Sequence, residues 1–533
     1  MGLIGYLRNL FVEESILVDE PVNQETIFTG RTGQAFSGEK QSGGLNYPTT
    51  FRADRNKIIE RSLKVFEEST QAMSAINRLV DSTINTGLIL EANPDATILN
   101  ISKEKKRTVS NLIKSRFSLW SNSKKCDLSG NNTLGQIERI LFTNQLAKGD
   151  YFLILSFSND KNLINPLQLR IIDPLNVTTP NDQKQINEAK GRGNRIIDGI
   201  EIDDFNREIA IFVKYKDKKT FRWAWERIEC FNKKTGRRVV IHGNKQKYGN
   251  EVRGIPALAG VAHELEKITD YSLLELMAAI ANATIASVVK PSADADASNP
   301  MPQNSFIPPN LLRGDDGFEI NDDSTSNIDS GYTNFGKSVL MNSGGLLVAG
   351  LRKGEELHSF DTKRPNVNFG EFVDHQSTYL SSALGIPIEV LKMLFGSNFS
   401  ASRAALKLFW NSVNVWRDEF VSDTLNPVYS AWMLGDVGTG KLILSGYDIP
   451  DMRLAWENSS WIGIPTPSID PAKEASGAAK RISEGLTTRE QEQYSVGNTQ
   501  GFDSTIDNLT EENLRLAKAK EPISALDRQR GAA

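Results

Sequence analysis

Apolar side chains recur at helical spacing in the first part of the chain and then change to strand-like patterns. Apolar positions every three or four residues predict one long helix from Asp54 to about Asn85. Two further helices are predicted at about 103–120 and 133–147. The pattern then predicts strands at 151–157, 167–173, 197–203 and 209–215, the last two forming a hairpin. Residues 1–255 therefore read as an α+β domain behind an N-terminal arm rich in Gly, Thr and Ser.

A helix without a polar face is predicted from about His263 to Lys290, where Pro291 ends it. Between Leu273 and Val289 nearly every residue is apolar, and a helix that is apolar on all sides must be covered on all sides. The most apolar part is too short to span a bilayer. Other helices, including copies of the same chain, are the expected cover. The residues expected to face a neighbouring subunit are Leu276, Ile280, Ile285 and Val288.

The second half of the chain begins with a polar, loop-rich stretch at 291–345, followed by a predicted strand at 345–350. Helices are predicted at Phe369–Leu384, just after Gly385-Ile-Pro, and at Ala401–Met433, where Pro427 should cause a kink. A helical tail follows, in which Pro471 opens one helix and Thr487 with Glu490 forms a capping box for the next. A last, highly charged helix is predicted at 507–520.

Length and charge narrow the class of protein. A chain of 533 residues can form two to four domains with cores of their own. The formal charge of −4 argues against a surface that grips DNA everywhere. Cys126 and Cys230 are too few for a disulfide framework, so both are expected to be buried small hydrophobes in a reducing cytosol. The N-terminus lacks the features of a signal peptide, and a soluble, intracellular protein is expected.

No set of catalytic residues can be assembled from the sequence. Gly435-Asp-Val-Gly-Thr-Gly-Lys441 has the glycine and lysine spacing of a phosphate-binding loop, but Leu442 stands where that loop needs Ser or Thr. A helical pattern precedes it instead of a buried strand, so a turn is predicted. The four histidines are scattered, and the acidic residues at 315–323 lack the spacing of a calcium loop. We therefore predict no enzyme activity, no cofactor and no metal site.

Motifs in the correct order along nearly the whole chain resemble those of phage portal proteins of the lambda type. They are Arg52-Ala-Asp54, Gly149-Asp150, Ile172-Asp173-Pro174, Gly199-Ile-Glu-Ile-Asp203, Arg253-Gly-Ile-Pro256, Tyr379 to Trp410, Trp461-Ile-Gly463 and Ile469-Asp-Pro-Ala-Lys-Glu474. The stretch from Tyr379 to Trp410 is the most specific, because it contains Leu-Gly-Ile-Pro and Asn-Phe-Ser-Ala-Ser-Arg in the order found in that family. The segment 291–345 shows no such match.

The resemblance implies a portal fold with an α/β wing, a two-helix stem, a small loop and β clip inserted between the stem helices, and a helical C-terminal crown. The implied parts are a wing at 1–262, a stem helix at 263–290, a clip at 291–365, a returning stem helix at 366–385, a tunnel-loop region at 386–403, a long kinked wing helix and following segment at 404–461, and a crown at 462–533. The implied assembly is a closed ring of about twelve subunits.

That ring would form the DNA channel at one capsid vertex, after assembly in the host cytoplasm. Its implied partners are double-stranded DNA without sequence preference, the terminase large subunit, the major capsid protein or scaffold, and a head–tail adaptor. No membrane partner is implied. Two alternatives stay open: a minor capsid or head-joining protein, and a packaging-associated enzyme, for which the residues give least support.

The tunnel-loop assignment names candidate DNA contacts. Gly396, Ser397 and Asn398 would form a flexible tip facing the DNA, and Lys392 and Arg403 would offer weak phosphate contacts. The alternative is that Phe395 and Phe399 anchor a core while Arg403 pairs with a carboxylate of a neighbouring subunit.

Overall fold

The computed structural model describes residues 47–246, 249, 251–284, 288–290, 356–358, 369–394, 399–466, 471–496 and 502–519. The predicted strand at 345–350, the tip at 396–398 and most of the predicted clip lie outside these residues. The chain divides into two compact units, one comprising residues 1–263 with 378–533 and the other comprising residues 264–377. Both helices and strands are present, which confirms the α+β class.

The first unit begins with a group of helices. They are α1 (Tyr47–Glu68), α2 (Thr70–Thr83), α3 (Ala96–Leu99), α4 (Lys103–Ser121) and α5 (Leu134–Lys148), with strand β1 (Ile89–Ala92) between α2 and α3. The prediction of one uninterrupted helix from Asp54 to Asn85 is wrong. Ser69 has an extended backbone and its hydroxyl accepts a hydrogen bond from the Ala72 amide, so it ends α1 and caps α2. The helices at 103–120 and 133–147 are confirmed to within about one residue.

Three small antiparallel sheets lie in the first unit, and β1 belongs to one of them. Their strands are β2 (Asp150–Phe157), β3 (Leu167–Ile172), β4 (Arg195–Ile197), β5 (Ile200–Ile202), β6 (Glu208–Lys216), β7 (Trp223–Glu229), β8 (Val240–Asn244) and β11 (Ser459–Ile462). The orders are β3-β2-β8, β4-β5-β6-β7 and β1-β11. The predicted hairpin is confirmed, because β5 pairs antiparallel with β6. A short helix, α6 (Gln183–Gly191), precedes β4.

Two apolar clusters hold this unit together. The first lies between the sheets, where Phe152, Ile200, Ile211 and Val240 are almost fully buried with Cys230 among them. The second is aromatic: Phe117 of α4 meets the rings of Tyr429, Trp432 and Trp461 edge-on at centroid distances of 5.2–5.9 Å. Cys126 is also buried, so both cysteines behave as the small hydrophobes that were predicted.

The C-terminal part of the first unit is helical. Its elements are α9 (Ile388–Lys392), α10 (Phe399–Phe420), α11 (Asn426–Gly438), α12 (Pro450–Trp456), α13 (Pro471–Ser483), α14 (Arg489–Ser495) and α15 (Phe502–Ala519). A kink was predicted at Pro427, and the structure has a π-helical turn, Val421–Leu425, two residues before it, where α10 gives way to α11. The predicted capping box is wrong by one residue, because Thr488 and Gln491 form it. Helix α15 begins earlier than predicted.

The second unit contains α7 (Ala262–Thr284) from Glu264 onward, β9 (Val288–Lys290), β10 (Glu356–His358) and the first half of α8 (Phe369–Leu384). The prediction that α7 continues to Lys290 is wrong. Val288 and Val289 are β-branched and Pro291 disfavours helical geometry at Lys290, so this stretch is extended and pairs antiparallel with β10. The two helices contact each other through Tyr271, whose ring lies 5.7 Å from Phe369 and 5.3 Å from Phe372.

Candidate subunit interface and channel residues

Helix α7 carries a leucine-rich face that is open to solvent in the single chain. Leu273 and Leu274 are each 49% exposed and Leu276 is 59% exposed, whereas Glu275 is only 4% exposed. An isolated helix would be expected to show the opposite, with carboxylates in water and leucines covered. Full burial of a leucine stabilises by roughly 1.5–3 kcal/mol, so a second surface on this face would contribute about half of that per residue. We call Leu273, Leu274 and Leu276 the leucine face.

The other predicted interface residues are placed less fully by the structure. Ile280 lies on α7, but its side chain is outside the described part of the chain, and so is Ile285. Val288 lies on strand β9, opposite His358 of β10, and not on the stem helix where it was predicted. Leu276 is thus the one predicted interface residue whose exposure the structure gives.

The predicted tunnel-loop residues lie where α9 ends and α10 begins. Lys392 is the last residue of α9, and Met393 after it adopts a left-handed backbone with φ of 54° that ends the helix. Gly396, Ser397 and Asn398 lie outside the described residues. Arg403 is exposed on the first turns of α10, and its guanidinium lies 3.7 Å from the carboxylate of Glu474 in the same chain. An ion pair as exposed as this one stabilises by less than about 1 kcal/mol, so Arg403 could exchange Glu474 for a phosphate at low cost.

Three of the motifs that carry the family resemblance meet at one buried ion cluster, and residues adjacent to two others join it. Arg253 donates hydrogen bonds to both oxygens of Asp150 and to the carbonyl oxygens of Pro174 and Asp198, the latter at 2.6 Å. Asp150 also accepts one from Arg55 of α1 at 3.0 Å. The cluster therefore links α1, β2, the segment after β3 at Pro174 and the turn between β4 and β5 at Asp198 to the segment that precedes α7.

The charges of this cluster are balanced inside the protein. Burial alone would raise the pKa of Asp150, but attraction to Arg253, the His242 imidazole whose Nε2 lies 3.5 Å from the carboxylate, and the charge of Arg55 hold that pKa well below its usual range. Burial would lower the pKa of His242, but the nearby carboxylate of Glu208, 2.5 Å away, raises it. Two glycines allow the tight approach, because a side chain at Gly254 would collide with the carbonyl oxygen of Gly149.

These motif residues stand out in the sequence, but their role does not. Asp150 and Arg253 are more than a hundred positions apart, and no local pattern shows that they form a pair. The one local indication was a charged residue next to a glycine in each of two motifs, Gly149-Asp150 and Arg253-Gly254, beside apolar residues. Their burial and full pairing mark them as structural residues rather than DNA contacts.

The segment with phosphate-loop spacing does not have the geometry of a phosphate-binding loop. Gly435 and Gly438 lie within the last turns of α11, and Asn165 packs so closely on Gly435 that no side chain fits there. Lys441 donates to the backbone carbonyl oxygen of Ile164 at 2.5 Å and thus does not extend into open space. The predicted turn is confirmed at Gly440, whose φ is 71°.

Within the described ranges, no group of three or more His, Cys, Asp or Glu side chains is placed to hold a metal ion. No helix that the structure describes combines the length and apolar character needed to cross a membrane.

Comparison with known proteins gives consistent results. The sequence profile described as phage portal protein, lambda family, matches residues 40–417. Portal protein B of Escherichia phage lambda is 20% identical over 430 residues, which cover 79% of this chain and 77% of that protein. The portal protein of Escherichia phage N15 is similar to the same extent.

Solved structures show more distant likeness. A chain from the virion of a native gene transfer agent particle aligns over 83% of this chain and 93% of its own length, with a TM-score of 0.43 and 12% identity. An HK97-family phage portal protein from Corynebacterium diphtheriae aligns over 66% and 84%, with a TM-score of 0.27 and 12% identity.

Proposed function

The chain belongs to the lambda family of phage portal proteins, and from this premise we propose that it assembles into a closed ring that forms the DNA channel at one vertex of the capsid. Members of this family are structural components of the virion and not enzymes. The observation that supports ring assembly is the leucine face of α7. Three leucines that are about half exposed on one helix are typical of a surface that binds a partner. In a ring, each subunit would cover the leucine face of its neighbour.

The parts of the portal follow from the order of the elements. The wing would comprise residues 1–262 and 404–461, and the crown residues 462–533. The stem would comprise α7 and the returning helix at 366–385, and the aromatic contacts of Tyr271 with Phe369 and Phe372 support this pairing. The pairing of β9 with β10 supports a clip inserted between the two stem helices, because it brings the ends of that segment together.

The channel would be lined in part by the tunnel-loop region, 386–403. Lys392 and Arg403 would contact phosphates weakly and without sequence preference, and the tip at 396–398 would follow the moving duplex. Weak contacts suit a conduit, because each strong phosphate contact would hold the DNA in place. The terminase large subunit and a head–tail adaptor would dock on the ring, and the capsid protein or scaffold would surround it.

The ring is tested by measuring the mass and shape of the purified chain. Native mass spectrometry and electron micrographs should show closed rings of about twelve subunits. Leu276→Asp should shift the protein to smaller species, because burying a carboxylate without a partner costs several kcal/mol. Ile443→Asp is the matched control, since Ile443 is 92% exposed in a loop, and this variant should still form rings. A wild-type chain that stays monomeric at micromolar concentration would refute the proposal.

A further inference from the structure

The hairpin of β6 and β7 extends beyond the rest of its sheet. β5 pairs with β6 only from Glu208 to Ile211, and the bridge from Val177 to Val213 is the last contact with another strand. From Lys214 to Lys216, β6 pairs only with β7 within the described part of the chain. The turn is closed by a hydrogen bond from the Asp217 amide to the Arg222 carbonyl oxygen. We call residues 214–225 the basic ribbon.

The charge of this ribbon is opposite to that of the whole chain. It carries five basic residues and one acidic residue, whereas the chain has a net charge of −4. The acidic residue, Asp217, uses its carboxylate within the turn, where it accepts hydrogen bonds from the Lys219 amide and the Thr220 hydroxyl. The ribbon therefore has no free carboxylate to offset its cations.

Four of the five cations are available to a ligand. Lys214 lies over the Trp223 ring, with its ammonium 4.4 Å from the ring centroid. The remaining four are exposed and form no ion pair with any residue that the structure describes: Lys216, Lys218, Lys219 and Arg222.

We infer that the basic ribbon binds the phosphate backbone of double-stranded DNA at a surface outside the channel. A two-stranded ribbon is narrow enough to enter the major groove, and the cations at the end of β6 and in the turn would then reach the phosphates that border the groove. An acidic protein fits less well, because such an interface has an apolar centre. The exposed aromatic rings of the ribbon do not form one apolar surface: strand alternation places Tyr215 on the face opposite Trp223, Lys214 lies over the Trp223 ring, and Phe221 belongs to the turn. The choice of DNA among polyanions rests on the proposed function.

Covalently closed circular DNA separates this surface from the channel, because a closed circle cannot thread through a closed ring. The assay is the binding of assembled protein to a relaxed circular plasmid between 50 and 200 mM salt, by mobility shift. Replacing the four free cations by Gln should weaken binding at least about tenfold at the lowest salt. It should also reduce the slope of log K against log salt by about 2 to 4.

A matched control removes the same charge elsewhere. Gln at the exposed Lys103, Lys105, Lys124 and Lys161 should leave both the affinity and the salt slope near the wild-type values. Replacing Lys216, Lys218 and Lys219 by Arg should preserve binding, which excludes misfolding as the cause of a loss.

The outcomes of this assay test the inference about the basic ribbon separately from the proposal that the chain forms a ring. Rings that do not bind the circle, or a Gln variant that binds as tightly as the control, would overturn the inference while the ring stands. If the Gln variant binds normally but no longer enters capsids, the ribbon contacts an acidic protein instead, and the inference is again wrong. Binding of the circle that depends on the ribbon, by a chain that forms no rings, would support the inference and refute the ring.

Discussion

Glu138 should make the wild-type protein less stable as the pH rises. This residue of α5 is 1% exposed, and one of its carboxylate oxygens accepts a hydrogen bond from the Leu88 amide at 2.8 Å. The other oxygen is buried without a hydrogen-bond partner among the described residues. Burial raises the pKa of Glu138 to about 8, against an ordinary value of 4.5, and the single hydrogen bond opposes this only in part.

The sign and size of the effect follow from these two values. Because the folded-state pKa is the higher one, the folded state binds the proton more tightly, and its stabilising contribution is complete below about pH 4.5. That contribution is lost as the pH rises to about 8. A shift of this size corresponds to about 5 kcal/mol in total, of which about 3 kcal/mol falls between pH 6 and pH 9.

The substitution Glu138→Gln tests this directly, because glutamine has the shape of the protonated acid and cannot ionise. Thermal unfolding at pH 6, 7.5 and 9 should show that wild type loses several degrees more than the variant over this range. Glu67→Gln is the control, since Glu67 is exposed on α1, and it should follow wild type. If Glu138→Gln and wild type lose stability in parallel between pH 6 and pH 9, the carboxyl is not buried as a neutral acid and the reasoning is wrong.

Three further outcomes are expected. Arg253→Ala should destabilise the protein by about 3–5 kcal/mol, because Asp150 then keeps its buried charge without its main partner. Arg489→Ala, on the exposed start of α14, should change the unfolding temperature little. Equal effects of the two substitutions would contradict a stabilising role of the ion cluster. Lys441→Ala should leave DNA packaging unchanged. If the wild-type protein binds ATP saturably and this substitution abolishes the binding, the interpretation of 435–441 as a turn without a nucleotide site is wrong. Deleting residues 396–398 should leave rings intact and lower the DNA retained per head, and full heads at wild-type yield would place that tip outside the channel.

Local patterns in the sequence predicted much of the fold. The change from helical to strand-like spacing after residue 148 coincides with the start of β2, and Pro427, where a kink was predicted, lies in the first turn of α11. The errors came from competing local interactions. The apolar pattern runs through Ser69 without a break, but a single hydroxyl cap ends one helix and starts another there. At Val288, pairing with a strand far along the chain outweighed the helical pattern.

The sites were less accessible to sequence reasoning than the fold. Leu276 was predicted to face another subunit from its apolar surroundings alone, and its exposure on α7 agrees with that hypothesis. The ion cluster at Asp150 depends on contacts between distant segments, which no periodicity reports. The basic ribbon was missed because the overall charge of −4 hides a local excess of cations, which a charge count in short windows would have found.

The pairing of β9 with β10 has a consequence for how this chain can diverge. Strands Val288–Lys290 and Glu356–His358 hold the two ends of the intervening segment at neighbouring positions. Doubling the length of a segment with fixed ends costs only about 0.6 kcal/mol in closure entropy. Insertions, deletions or a whole replacement between these strands should therefore leave the helices on either side undisturbed. The segment can change in length and sequence while the rest of the protein stays under the stricter constraints of its core.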